Sequence, residues 1–273
     1  MPGVSFDRAA TFYDATRGYA PGVAEHIRTA LRAYVGATAD TRFLEIGVGT
    51  GRIALPFIRA GDDYTGVDLS GAMLDVLRQK IALDPGVAGG RYALHEADVM
   101  ALPFADATFD VVLAVHVLHL VSDRKQTIRE AMRVLKLGGV FISAADGPED
   151  DDGEEIPARQ VRNEWLEILH DMRVRGSAER VRWITDEIVE HDLRELGAQV
   201  EVVTVAPYHR TPVSARQMAD LIEARMFSSD WETSEEDHAE ATRRLQAWLA
   251  ETFENPDELH EMRGDFIAVV GRW

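Results

Sequence analysis

The sequence predicts an α/β fold, a mostly parallel sheet with helices on both of its faces. Between residues 43 and 145, short apolar segments alternate with segments of helical periodicity, which is the pattern of a parallel sheet. The apolar segments are almost uninterrupted, as expected for strands that are covered on both sides. The first of them runs into a glycine-rich turn, Gly47-Val48-Gly49-Thr50-Gly51, which precedes a helix.

The first 40 residues are predicted to form a helical leader. Its beginning, residues 6–19, is rich in aromatic side chains. Pro21 then opens a segment in which Val23, Ile27 and Leu31 follow helical spacing, so we expect a helix that packs on the core.

Five strands are predicted before residue 146, and each is a short apolar segment bounded by turn residues. They are residues 42–46, 63–67, 92–95, 109–117 and 140–144. Helical patterns lie between them, near residues 52–60, 72–83 and 123–137. Ser70 is predicted to cap the second of these helices, and Gly138-Gly139 to end the third.

The rest of the chain is predicted to add helices and two more strands. An acidic loop, residues 149–155, precedes these elements. Helical patterns occupy residues 158–174, 185–197 and 214–254, and the strands are residues 200–206 and 266–271. Thr233 and Glu236 have the spacing of a capping box inside the last helical segment.

We expect a single domain over residues 1–273. Its parts are the leader (1–40), a cofactor-binding core (41–147), helical insertions (148–197 and 207–257) and the last strands (198–206 and 265–272). Both insertions follow strands at the carboxyl edge of the sheet, where ligands bind in open α/β folds. They are therefore predicted to form a helical lid over an acceptor pocket, with a fixed helical layer or a dimer surface as the alternatives.

Composition argues against several classes of function. The 29 basic and 47 acidic residues give a net charge of −18, which disfavours nucleic acid and anionic membranes as partners. The chain has no cysteine, and no His/acid grouping has metal-ligand spacing, so we expect no metal. The longest apolar stretch, residues 111–121, is too short to span a bilayer, and no secretory signal is visible. We expect a cytoplasmic protein.

The glycine turn and the acid after the second strand form a nucleoside-binding pattern. Glycines let the backbone turn sharply and approach a ligand, and the following helix presents free N–H groups. Asp68 ends the second strand, where a carboxylate can accept both hydroxyls of a ribose. Asp98, after the third strand, is expected at the adenine edge, with Val99 or Met100 packed on the ring.

The spacing of the glycines indicates which nucleoside binds. A dinucleotide site has Gly-x-Gly-x-x-Gly, whereas this chain has Gly-x-Gly-x-Gly with Arg52 after it. Glu45, before the first glycine, would repel a pyrophosphate but suits an ammonium or sulfonium cation. S-adenosylmethionine is therefore favoured over NAD. An NAD(P)-dependent oxidoreductase and a non-catalytic S-adenosylmethionine-binding protein stay open as alternatives.

Taken together, these motifs resemble the class I S-adenosylmethionine-dependent methyltransferases, in particular the type-11, ubiquinone/menaquinone-biosynthesis-like branch. The similarity spans about residues 40–145. The motifs that carry it are Glu45-x-Gly47-x-Gly49-x-Gly51, Asp68-Leu69-Ser70 with Met73, Ala97-Asp98, Phe109-Asp110-Val111-Val112 and Arg133-Val134-Leu135-Lys136-x-Gly138-Gly139.

The resemblance implies a Rossmann-like sheet of seven strands in the order 3-2-1-4-5-7-6, with strand 7 antiparallel. It also implies that S-adenosylmethionine is the cofactor and S-adenosylhomocysteine the product. The residues it assigns to this site are Glu45 and Gly47 near the methionine moiety, Gly49 and Gly51 in the turn, Asp68 at the ribose, Asp98 with Val99 at the adenine, and Leu69 and Met73 as further cofactor-binding residues. In such families an aromatic leader often closes over the cofactor, which would involve Tyr13, Arg17 and Tyr19; ordinary helix packing is the alternative.

His116 and His119, at the carboxyl end of the fourth strand, are the candidate catalytic bases. A base is needed only where the acceptor must lose a proton, since positioning supplies much of the catalysis of methyl transfer. His116 is also a candidate contact of the methionine moiety, and histidines satisfied by backbone groups are the alternative for both. Tyr208, His209 and Arg210 are interpreted as surface loop, with a pocket role as the alternative.

The acceptor is expected to be a small molecule that is neutral or cationic, methylated on O, N or C. The long helical segment before the last strand differs from the short hairpin of the quinone enzymes, which argues against a quinone acceptor. Monomer and homodimer are both left open.

Overall fold

The computed structural model describes residues 7, 10, 13–14, 18–87, 91–146, 156–174, 186–227, 230–231, 233–260 and 262–273. Arg17 and the acidic loop of residues 149–155 lie outside these residues.

The fold is built on one sheet of seven strands, in the order β3-β2-β1-β4-β5-β7-β6. The strands are β1 (Arg42–Ile46), β2 (Asp63–Asp68), β3 (Tyr92–Glu96), β4 (Phe109–Val115), β5 (Leu135–Asp146), β6 (Gln199–Arg210) and β7 (Met262–Arg272). The first five pair in parallel, and β7 pairs antiparallel with β5. The predicted fold class and strand order are confirmed.

Helices connect the strands and cover the sheet. They are α1 (Val23–Tyr34), α2 (Ala54–Arg59), α3 (Gly71–Leu83), α4 (Arg124–Val134), α5 (Pro157–Asp171), α6 (Asp186–Glu195), α7 (Ala215–Glu223) and α8 (Glu235–Thr252). None of the helices in the described part of the chain is long and apolar enough to cross a membrane.

Side-chain alternation along β1 divides the core into two layers. Phe43 joins the cluster on one side of the sheet, where its ring lies 5.0 Å from Phe57 on α2. Leu44 and Ile46 join the cluster on the other side, with residues of α4 and α6. Because successive strand residues point to opposite faces, a strand covered on both sides is apolar throughout, as the sequence predicted.

The chain divides into two compact units. The first contains α1 to α4, α6 and the sheet apart from the last residues of β6 and the first residues of β7. The second consists of Glu149–Trp183 and His209–Arg263, and its core is built by α5, α7 and α8 around the fully buried Trp165. The assignment of one domain with a helical lid stays a prediction.

Several element boundaries differ from the predictions. The helix expected to end at Gly138-Gly139 ends at Val134, and both glycines lie inside β5, because Leu135 already pairs with Phe109 of β4. Strand β4 ends at Val115 rather than at residue 117, since the next residue has a left-handed backbone.

Helix caps were predicted with mixed success. Ser70 caps α3 as expected and accepts a hydrogen bond from the Met73 amide. The cap expected at Thr233 is one residue later: Ser234 accepts from the Asp237 amide at the start of α8. A full capping box is formed elsewhere, by Ser214 and Gln217 at the start of α7.

Candidate functional site

A cleft in the first unit lies at the carboxyl ends of β1, β2 and β4 and beside the loop after β3. The cleft is partly open to solvent, and both polar and apolar side chains line it. The residues that line it are Tyr13, Gly47, Gly49, Asp68, Leu69, Ser70, Met73, Asp98, Val99, Met100, Val115, His116, Val117, Leu120 and Val121. Thus most of the residues assigned to the site from the sequence meet in one cavity.

The glycine turn at the end of β1 has a backbone conformation that would be strained for residues other than glycine. Gly47, Gly49 and Gly51 have φ angles of 73°, 53° and 84°. A Cβ on Gly47 would lie 2.4 Å from Val117, and one on Gly51 would lie 2.2 Å from Leu77 of α3. At Gly49, which lines the cleft, nothing lies within 4 Å of that position. The turn therefore packs closely at both ends and leaves space for a ligand in the middle.

We expect Gly51→Ala to destabilise the protein more than Gly36→Ala. Both positions have a positive φ, which costs an alanine about 1–2 kcal/mol, but only Gly51 adds a clash, worth about 1–3 kcal/mol more. Urea unfolding without added ligand measures both variants, with Gly36→Ala as the matched control. Equal losses of unfolding free energy would contradict the role given to the contact with Leu77.

Two backbone hydrogen bonds fix the side chain of Asp68 beside the glycine turn. Its Oδ2 accepts a hydrogen bond from the Gly49 amide at 2.8 Å, and its Oδ1 accepts one from the Ser70 amide at 2.9 Å. Burial raises the pKa of Asp68, while these backbone hydrogen bonds oppose the rise. Since a carboxylate has about four acceptor positions, the oxygens retain capacity for ligand hydroxyls.

The loop after β3 supplies a carboxylate and apolar side chains to the same cleft. Asp98 accepts a hydrogen bond from the Met100 amide at 2.8 Å, which fixes its side chain in a tight turn. Val99 is buried beside it, and Met73 of α3 also lines the cavity. This combination of one acceptor and apolar walls is suited to a flat ring that carries an amine.

Glu45 takes a different position from the other candidates. It is only 2% exposed and does not belong to the residues that line the cleft. Its Oε2 accepts a hydrogen bond from the Tyr64 hydroxyl at 2.9 Å. Burial raises the pKa of Glu45 to about 8.

The leader contacts the glycine turn through a residue that the sequence did not single out. Asp14 accepts a hydrogen bond from the Thr50 hydroxyl at 2.6 Å and forms an ion pair with Lys80. Lys80 also donates to the Thr50 carbonyl at 2.8 Å. Tyr13, beside Asp14, lines the cleft.

Asp146, at the end of β5, is the centre of a polar cluster that sequence reasoning missed. Its Oδ1 accepts a hydrogen bond from Tyr19 at 2.8 Å, and its Oδ2 lies 3.6 Å from the guanidinium of Arg52. Tyr208 is a further hydrogen-bond donor, so it belongs to this cluster rather than to a surface loop. Although burial raises the pKa of Asp146, His116, Arg52 and Tyr208 together hold it well below its ordinary value.

Arg52 and the two tyrosines pack closely within this cluster. The Arg52 guanidinium lies 4.5 Å from the centre of the Tyr19 ring, a cation–π distance. The rings of Tyr19 and Tyr208 meet edge to face, with centroids 5.3 Å apart. Tyr19 is therefore anchored in the first unit by its hydroxyl and by both ring contacts, as a packing role for the leader would require.

The cluster positions one of the two candidate histidines. Nε2 of His116 lies 3.1 Å from Oδ2 of Asp146, and it accepts a hydrogen bond from the Asp146 backbone N–H at 3.2 Å. The carboxylate favours a proton on Nε2, whereas the backbone N–H favours the unprotonated nitrogen, so Asp146 has a partner for the ring in both protonation states. His116 has a φ of 52° and lines the cleft, whereas His119 is exposed and does not line it.

The charge of the cleft favours a cationic ligand. Two carboxylates, Asp68 and Asp98, line it, whereas the described lining contains neither lysine nor arginine. Nor do the described residues contain a group of three or more His, Asp or Glu side chains arranged to hold a metal ion.

Comparisons with known proteins agree with this geometry. A family described as methyltransferase domain matches residues 44–143. A demethylmenaquinone methyltransferase of Tropheryma whipplei is 34% identical over 138 residues, which are 50% of this chain and 55% of that protein. This chain thus spans about half the length of such curated relatives.

A second relative matches over a longer part of the chain. The 27-O-demethylrifamycin SV methyltransferase of Amycolatopsis mediterranei is 34% identical over 205 residues, covering 71% of this chain and 64% of that protein. Among solved structures, the YcgJ protein of Bacillus subtilis has a TM-score of 0.57 at 19% identity, covering 91% of this chain and 99% of that one. That likeness concerns the fold alone.

Proposed function

We propose that this chain, which belongs to the type-11 branch of the class I S-adenosylmethionine-dependent methyltransferases, transfers a methyl group from S-adenosylmethionine to a small molecule. The observation that carries the proposal is the cleft in which the glycine turn, Asp68 and Asp98 meet. When bound, the cofactor supplies a methyl group already activated by its sulfonium. The product would be S-adenosylhomocysteine.

The residues of the cleft fit this cofactor. Asp98 and Val99 would hold the adenine, and Asp68 would accept the ribose hydroxyls. The open space at Gly49 admits the nucleoside, since no Cβ fills it. Gly47 and His116 would face the methionine end. An overall acidic lining supports a cofactor with a net positive charge over NAD, whose pyrophosphate it would repel.

We further propose that His116 acts as general base toward the acceptor, with Asp146 as its positioning residue. Two contacts with Asp146 support this assignment, because its backbone N–H orients the neutral ring and its carboxylate orients the protonated ring. Asp146 stays ionised beside Arg52 and stabilises the imidazolium once it forms. The exposed His119 is the weaker candidate.

The acceptor proposed here is a hydroxyl group on a small molecule. A base is useful for a hydroxyl, which must lose its proton as the methyl group arrives. The rifamycin relative supports the same class, since its name describes a compound that lacks an O-methyl group. The match to the rifamycin relative covers 71% of this chain. It therefore extends beyond the core in which this chain resembles the quinone enzymes.

The cellular location, the absence of a nucleic-acid partner and the oligomeric state are also proposals. The net charge of −18 repels phosphate backbones and anionic lipid surfaces. It therefore supports the proposals of a cytoplasmic location away from membranes and of no nucleic-acid partner. A monomer and a homodimer are equally compatible with the chain.

Calorimetry and a turnover assay test the proposed function. The purified protein is titrated with S-adenosylmethionine and, separately, with NAD, and we expect binding of the first only. It is then incubated with S-adenosylmethionine and a panel of hydroxylated small molecules, and S-adenosylhomocysteine is measured by mass spectrometry. Binding of NAD alone would indicate an oxidoreductase. Binding of S-adenosylmethionine without turnover on any acceptor would favour a non-catalytic binding protein.

A further inference from the structure

Glu45 is a carboxyl group buried inside the sheet, directly next to the proposed cofactor site. It lies in β1, two residues before Gly47, which lines the cleft. Its partners in the neighbouring strands are Gly66 of β2 and Leu113 of β4, neither of which carries a charge. The hydroxyl that donates to it belongs to Tyr64, which is 0% exposed. An ionised carboxylate in such a place loses the solvation that water would give it.

Among the described residues, the charged and titratable groups that act on Glu45 lie in β2 and beside the glycine turn. Tyr64 and Asp68 belong to β2, and Arg52 follows the glycine turn. Burial raises the pKa of Glu45 to about 8, whereas Tyr64 and Arg52 lower it and Asp68 raises it further. At neutral pH the ligand-free protein therefore holds this carboxyl mainly in its protonated form.

We propose that the Tyr64–Glu45 pair is a specificity-determining element that releases a proton when a cationic cofactor binds, and that it thereby distinguishes cofactor from product. This inference rests on the proposed function. S-adenosylmethionine carries one net positive charge, and S-adenosylhomocysteine, having lost the sulfonium, carries none. Glu45 loses its proton to solvent as the cation arrives, and the Tyr64 hydroxyl donates its hydrogen bond to the carboxylate that remains. Glu45 is thus neutral in the ligand-free protein, and its negative charge balances the positive charge of the cofactor in the complex.

The direction of the pH dependence follows from this exchange. A nearby cation favours the ionised acid, so the pKa of Glu45 falls in the complex. The pKa of Glu45 is about 8 in the ligand-free protein and lower in the complex. At a pH between these two pKa values, binding releases up to one proton. The Kd for S-adenosylmethionine should therefore fall by up to tenfold per pH unit as pH rises, and level off above about 8. The Kd for S-adenosylhomocysteine should change less.

Calorimetry in two buffers counts the protons directly. At pH 7, titrations in phosphate and in Tris differ in enthalpy by the number of protons released times the difference in buffer ionisation enthalpy. We expect clear proton release with S-adenosylmethionine and less with S-adenosylhomocysteine. Glu45→Gln, which keeps an oxygen for the Tyr64 hydroxyl, should abolish the difference between the two ligands. Glu25→Gln, an exposed change on α1, is the matched control and should behave as the wild type.

Tyr64→Phe provides a second, independent test of the inference about Glu45. Without the hydroxyl that stabilises the carboxylate, the pH at which the Kd levels off should move upward. Equal proton release with both ligands, or release that persists in Glu45→Gln, would overturn the inference while leaving the proposed function intact. Failure of the wild type to bind S-adenosylmethionine at all would instead refute the proposed function, and the inference with it.

Discussion

His116→Asn is expected to lower the turnover number by about 10²–10⁴-fold, with a much smaller effect on the Kd for S-adenosylmethionine. The imidazole takes up the acceptor's proton, and asparagine cannot. Asparagine is the suitable replacement because residue 116 has a φ of 52°, a conformation that asparagine tolerates better than most residues. Turnover is measured as S-adenosylhomocysteine formed per enzyme at saturating cofactor.

Three companion variants make the result specific. Asp146→Asn should lower turnover in the same direction, since the imidazole loses the charge that orients it and stabilises its protonated form. His119→Asn tests the other candidate base, and a larger loss there than at His116 would reverse the assignment. His191→Asn, on the exposed side of α6, controls for loss of a histidine in general. Full turnover in His116→Asn would show that the reaction proceeds without this base.

The parts of the site that the sequence predicted are local. The glycine turn, Asp68 and Ser70 lie in two short segments, and each follows directly from a strand. Their geometry depends mainly on backbone conformation and neighbouring amides, as the hydrogen bonds from Gly49 and Ser70 to Asp68 illustrate. Glycine spacing and strand ends are visible in a sequence, so these residues could be assigned from the order of amino acids alone.

Asp146 could not be found in the same way, because its partners are remote in the chain. Tyr19 is 127 residues away from it, and His116 is 30 residues away. Only the parallel pairing of β4 with β5 brings the ends of the two strands together. The available signal was weak: an acid directly after an apolar strand, in the position where such sheets bind ligands.

The boundary between α4 and β5 shows how pairing overrides local preference. Gly138-Gly139 is a good helix stop, and the helical periodicity continues almost up to it. In the structure the pairing of Leu135 with Phe109 extends the sheet toward the helix, so the strand begins before the glycines. Periodicity in one segment carries no information about a partner strand elsewhere in the chain.

Replacing Asp68 by alanine should weaken S-adenosylmethionine binding by on the order of 1–3 kcal/mol, or roughly 5- to 150-fold in Kd. The ribose hydroxyls would lose a charged acceptor, and the amides of Gly49 and Ser70 would lose the oxygens that fix the turn. Calorimetric titration measures the affinity, and thermal unfolding of the ligand-free variant separates lost binding from lost folding.

Asp68→Asn distinguishes the two contributions within that loss. Its amide keeps one oxygen acceptor but presents an NH₂ group where the second oxygen accepted a hydrogen bond, so an intermediate affinity is expected. Asp75→Ala, an exposed change on α3, should bind as the wild type does. If Asp68→Ala bound S-adenosylmethionine as tightly as the wild type, the ribose could not lie at the end of β2. The cofactor orientation, and with it the place of His116 at the methyl group, would then have to be reassigned.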